Sequence, residues 1–180
     1  MRKVLAILFG LFLISPASAD QTDLRLDLLF EELRTGDAVR AEENIARITE
    51  IWETSASDTV NLLYARAQEA QSLGQYDLGL ALADHVVGLA PNFAEGYALR
   101  GALRLTQSDR PGAIEDFSKA LALEPRHFEV RGVLAQILLA NGELFDAYEM
   151  FQKVLEWNPH DENARRQSRA LRRDIDGQEI

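Results

Sequence analysis

Three prolines, Pro91, Pro125 and Pro159, stand 34 residues apart, and each closes a similar tetrapeptide: Gly-Leu-Ala-Pro, Ala-Leu-Glu-Pro and Glu-Trp-Asn-Pro. A fixed period of this length means that one supersecondary unit is repeated along the chain. The same step links Gly74, Ser108 and Gly142 at a turn. It also links two small-residue sites, Ala67, Gly101 and Ala135, and Gly79, Ala113 and Ala147. Ala83, Phe117 and Phe151 keep the spacing, as do Val86, Ala120 and Val154. Between turn and proline the apolar residues follow a helical period, as in Ala113, Ile114, Phe117, Ala120 and Leu121. Each unit therefore reads as helix, tight turn, helix. The proline then ends the second helix, because it disfavours helical geometry in the residue before it.

In this pattern the sequence resembles the tetratricopeptide repeat family. The resemblance covers residues 60–161 as three units, 60–93, 94–127 and 128–161. It is carried by the repeat length, the small residues where paired helices cross, the aromatic in the second helix and the closing proline. It implies an all-α, right-handed α-solenoid whose first helices line a concave wall. Two departures stand out. The aromatic expected early in the first helix is Tyr97 but becomes Leu63 and Arg131 in the neighbouring units, and the second unit carries Pro111. That proline falls in a first helical turn capped by Asp109, where no backbone donor is lost.

The flanks extend the array. Residues 20–57 read as a divergent helical hairpin or N-terminal cap, with Ala41, Ile45, Ile48 and Ile51 on one face. Thr54 to Asp58 is a polar joint suited to capping the next helix. Residues 162–180 begin a further unit without its second helix. Five arginines (Arg165, Arg166, Arg169, Arg172, Arg173) lie opposite Ala164, Leu171 and Ile175, as in the solvating end cap that a solenoid needs.

Residues 1–19 have another character. A cationic start, Met1-Arg2-Lys3, precedes the apolar run Val4 to Ile14, and Ser15-Pro16 breaks that run just before Ala17-Ser18-Ala19. This reads as a secretory signal peptide cleaved before Asp20. Eleven apolar residues span roughly 16 Å as a helix, too little for a hydrocarbon core of roughly 30 Å. The expectation is an exported protein with no integral span after cleavage, periplasmic if the source is a Gram-negative bacterium. Losing Arg2 and Lys3 takes the net charge from −10 to −12, which repels phosphate backbones and argues against nucleic acid as a partner.

The sequence offers little chemistry. There is no cysteine, so a disulfide, a thiolate metal site and a thiol nucleophile are all excluded. His85, His127 and His160 are the only histidines, and none is paired at metal-ligand spacing. Gly-rich phosphate loops and nucleophile elbows are also missing. His127 could be a general base, but it reads better as a polar residue just before a helix, with nothing nearby in sequence to orient the ring. Tyr97, Phe93 and Phe128 read as core, and Tyr64 is the exception. No cofactor, metal or catalytic residue is expected.

The concave wall is then the place for function. By the resemblance, its lining phases fall on Tyr64 and Gln68, on Glu95 and Leu99, and on Glu129, Val133 and Gln136, with Arg166 and Arg173 continuing them on the cap. Some members of the family clamp the C-terminal carboxylate of cytosolic heat-shock chaperones with lysine, asparagine and arginine. Here Tyr64, Gln68, Leu99, Glu129 and Val133 stand in those places, so that activity is not implied. A wall that is apolar and amide-rich, acidic along one edge and basic at the far end suits a peptide segment with apolar side chains and some basic character. The leading expectation is a non-enzymatic adaptor for an envelope protein. The alternatives are a structural or self-associating envelope protein and a histidine-dependent enzyme.

Overall fold

The structure, a computed structural model, describes residues 23–178. Nine α-helices and no strand are found among them. They are α1 (Arg25–Thr35), α2 (Ala38–Trp52), α3 (Asp58–Ser72), α4 (Tyr76–Leu89), α5 (Ala94–Thr106), α6 (Arg110–Leu123), α7 (Phe128–Ala140), α8 (Leu144–Trp157) and α9 (Glu162–Gln178). The signal-peptide reading of residues 1–19 lies outside the described residues.

The helix boundaries have local causes. Asp37, Ser57 and Asp109 each accept a backbone N–H of the first turn, from Arg40, Val60 and Gly112 respectively. Asp161 does the same for Ala164 at the start of α9. Pro111 sits in the first turn of α6, as its position requires. At each intra-unit turn one backbone bond closes the same ring: Gln75 N to Ala70 O, Asp109 N to Arg104 O and Glu143 N to Leu138 O. This is the glycine-type helix ending, and it needs a left-handed residue between the helices. Gly74 (φ 71°) and Gly142 (φ 82°) supply it without a Cβ penalty, whereas Ser108 (φ 66°) adopts it at some cost.

Pairing of the helices follows from the small residues. Ala67, Ala83 and Gly79 in the α3–α4 hairpin are buried, and so are their counterparts in α5–α6 and α7–α8. Gly101 is required by close approach: a Cβ there would stand 2.8 Å from Cε1 of Phe117. The cores interlock, because the first helix of each unit packs into the hairpin before it. Leu99 and Leu103 of α5 join the α3–α4 core, and Val130, Leu134 and Ile137 of α7 join the α5–α6 core. Ala164 and Leu171 of α9 close the third core, leaving Arg166, Arg169, Arg172 and Arg173 in solvent.

The α1–α2 hairpin breaks this rule. α2 does not lie along α3 as α4 lies along α5; instead α1 packs against α8. Its apolar face, Leu26, Leu29, Phe30, Leu33, Ile48, Ile51 and Trp52, belongs to the same core as Phe128, Phe151 and Val154 of the third unit. Aromatic rings make the joint. Phe30 meets Trp157 at 5.6 Å and Phe128 at 6.4 Å, and Trp52 meets Phe128 at 5.5 Å and His127 at 4.5 Å. Asp27 adds an ion pair to Arg126 at 2.7 Å. The hairpin therefore folds back across the inter-unit joints and does not extend the stack at α3.

Candidate functional site

The folding back of the hairpin sets the geometry of the concave wall. The last turn of α2 delivers Trp52 and Glu53 to the edge where α5 and α7 begin. Glu53 accepts a hydrogen bond from Nε2 of Gln68 at 2.7 Å, and the Tyr64 hydroxyl lies 3.4 Å from both Glu53 and Glu95. Gln68 also donates to that hydroxyl at 3.2 Å. Tyr64, expected outside the core, is only 5% exposed and packs edge-on against Phe93. Its phenol pKa is pushed well above the ordinary range by desolvation and by the carboxylates of Glu95 and Glu53.

His127 stands just before α7, as expected, but it is buried. It is 2% exposed, its ring lies against Trp52, and its Nε2 is 2.9 Å from Oε1 of Glu95. Among the described residues neither ring nitrogen has a hydrogen-bond partner. The expectation that nothing orients the ring is corrected by packing: Trp52, from a part of the chain that the repeat pattern does not connect, lies against it, and Glu95 stands beside it. A histidine sealed behind an indole cannot reach a substrate. Trp52 Nε1 in turn donates to Glu124 at 3.2 Å, and Arg126 holds the same carboxylate at 2.8 Å.

The nine expected wall residues thus divide. Tyr64 and Gln68 form one network with Glu53, which Glu95 joins through the Tyr64 hydroxyl. Leu99 is 7% exposed and belongs to the core of the first unit. Val133 and Gln136 remain half-buried on α7, and Glu129 is exposed at its start. Arg166 and Arg173 are exposed on α9, at the repeat phases of Tyr64 and Gln71. Glu129 faces solvent yet sits in a concave wall. Partial desolvation raises its carboxyl pKa; His127 opposes the rise, while Glu95, Glu53 and Asp161 add to it. Three carboxylates, one just past α2, one on α5 and one in the loop before α9, thus act on that of Glu129 at the start of α7. The sequence phases identify Glu95 and Glu129 but miss Glu53, Trp52 and Asp161, because these lie outside the first helices of the units.

The arrangement defines a class: stacked helical hairpins that present side chains along a curved wall. Residues 104–171 match the family model described as tetratricopeptide repeat. The chain is similar to tetratricopeptide-repeat proteins over this stretch. It is 29% identical over 154 residues to a TPR repeat-containing protein of Rhizobium etli, which covers 85% of this chain and 76% of that one. Among solved structures it resembles the Yersinia enterocolitica type III secretion chaperone SycD in complex with a peptide of the translocator YopD. The TM-score there is 0.61 at 19% identity, over 66% of this chain and 96% of that one. The first TPR of Spaghetti (RPAP3) bound to an HSP90 peptide matches with a TM-score of 0.59 at 17% identity, over 64% and 92% of the two chains. At these identities the structural likeness establishes the fold.

Proposed function

We propose that this chain is an exported, non-catalytic scaffold that holds a segment of an envelope protein against its concave wall. The occupant is a peptide with apolar side chains and at least one lysine or arginine. The observation that carries this reading is the exposed Glu129 beside Val133, Gln136 and Leu139. A cation seated there would relieve the mutual repulsion of Glu53, Glu95, Glu129 and Asp161, and the half-buried floor would take the apolar side chains. Peptide complexes of similarly folded proteins support the mode of binding, and the signal-like residues 1–19 support export. No helix among the described residues is long and apolar enough to cross a membrane.

A photoreactive side chain at Val133 tests this in the native compartment. Crosslinks to a discrete envelope protein are expected from Val133, and these should disappear when Glu129 is also changed to Lys. The same label at Leu78, exposed on α4, serves as the control. Identical crosslinks from Val133 and Leu78 would rule out the wall as the site. N-terminal sequencing of the same material should give Asp20, and a protein that retains Met1 would refute cleavage.

The raised carboxyl pKa of Glu129 gives a pH signature with a definite sign. A raised folded-state value means that the folded chain binds the proton more tightly than the unfolded one. The ionised form of this group therefore opposes folding, and its contribution to stability is lost as pH rises from the ordinary glutamate range through the raised value. A cationic partner needs the ionised form. Lowering pH through the same window should therefore weaken partner binding while this group's own contribution to the stability of the free protein rises. Glu129→Gln should remove both trends, as read by paired binding and melting curves between about pH 4 and pH 7.

A further inference from the structure

The displaced hairpin leaves one helix face without its usual cover, and the repeat register identifies it. In α5 the residues that meet α4 are Gly96, which touches Val86 and Val87; Arg100, which pairs with Asp84; Leu103, which packs at Gly79; and Gln107, which bonds Asp77. In α7 the same phases are Val130, Leu134, Ile137 and Asn141. The first three lie in the preceding core, and Asn141 is held by Arg110. One period earlier these phases are Leu62, Arg66 and Glu69 on α3 and Leu73 at its C-terminal cap. All four are exposed, Leu62 at 58% and Leu73 at 64%, and among the described residues neither Arg66 nor Glu69 forms a side-chain ion pair.

The order of this stripe, apolar, basic, acidic, apolar, is self-complementary about its centre. Two such helices packed antiparallel, with a two-fold axis between positions 67 and 68, set Leu62 against Leu73 of the second copy and Arg66 against Glu69 of the second copy. Both contacts occur twice by symmetry. An isologous interface requires this kind of patch, one that complements itself under a two-fold axis. We infer that the open face of α3 is a homodimer interface, formed by antiparallel α3 helices from two copies of this chain. The inference is independent of the peptide-binding reading, since the stripe lies on the face of α3 that meets a preceding helix and not on the Tyr64–Gln68 wall.

Sedimentation of the purified protein over micromolar to millimolar concentrations tests it, with helical circular dichroism confirming that each variant is folded. The wild type should show a monomer–dimer equilibrium. Arg66→Glu and Glu69→Arg should each raise the dissociation constant about tenfold, because two symmetry-related attractions become repulsions. An equal mixture of the two variants should restore dimers, since every 66–69 contact is then of opposite sign. The chain has no cysteine, so Leu62→Cys and Leu73→Cys chains give a clean second readout. Their mixture should form a disulfide dimer, whereas each alone should not, its own positions lying about 16 Å apart along the axis. Three results would each overturn the proposal: a monomer at every concentration, as expected if the hairpin covers α3; open-ended oligomers, as expected for head-to-tail stacking; or a mixture that associates no better than the single variants.

Discussion

Replacing Trp52 with alanine is expected to cost about 3–5 kcal/mol of stability, the range for truncating a large buried aromatic. The side chain is enclosed by Phe30, His127 and Phe128 and also donates to Glu124, so the loss combines packing with a hydrogen bond inside one cluster. The damage should be local. The α1–α2 hairpin should come loose while α3 to α9 keep their interlocked cores, and limited proteolysis should cut first between Glu53 and Ser57. Trp52→Phe should keep most of the packing and lose about 1 kcal/mol for the missing donor, because Arg126 still holds the carboxylate. A urea midpoint for Trp52→Ala within error of the wild type would show that the hairpin is not anchored there.

The second large effect lies at Asp116. Its buried carboxylate accepts from Nη2 and Nε of Arg100 at 2.6 and 2.9 Å, and Nη1 of Arg104 is 2.9 Å away. Arg100 also reaches Asp84 at 3.0 Å, so one guanidinium joins α4, α5 and α6. The Asp116 hydrogen bond raises the pKa of that guanidinium, and Asp84 adds to the rise. Asp116→Ala takes the buried counter-charge from Arg100 and Arg104, leaving them only the exposed Asp84 and Asp109, and is expected to cost about 3–5 kcal/mol, the range for breaking a buried pair from one side. Asp84→Ala, at the solvent end of the same chain of contacts, should cost no more than about 1 kcal/mol. Added salt should weaken the Asp84 contribution and leave that of Asp116 largely intact, because buried charges are poorly screened. Equal losses for the two variants would refute this division.

The hairpins of α3–α8 are legible in the sequence because their causes are short-range. A left-handed residue at Gly74, Ser108 and Gly142, a cap at Ser57 and Asp109, and small residues at the crossings act within one unit or between neighbours, and a fixed period displays them. The wall was partly legible for the same reason. Its phases pick out Tyr64, Gln68, Glu95 and Glu129, yet they also pick Leu99, which the first core absorbs, and give no sign of Glu53. Sequence alone determined the repeat, its helices and turns, and the absence of thiol chemistry. Only the tertiary structure decided where the first hairpin goes. Phe30 and Trp52 find Trp157, His127 and Phe128 some 75 to 127 residues away, and burial of those rings outweighs the regular stacking site on α3. Aromatic packing of this kind carries no period, so no pattern along the chain could announce it.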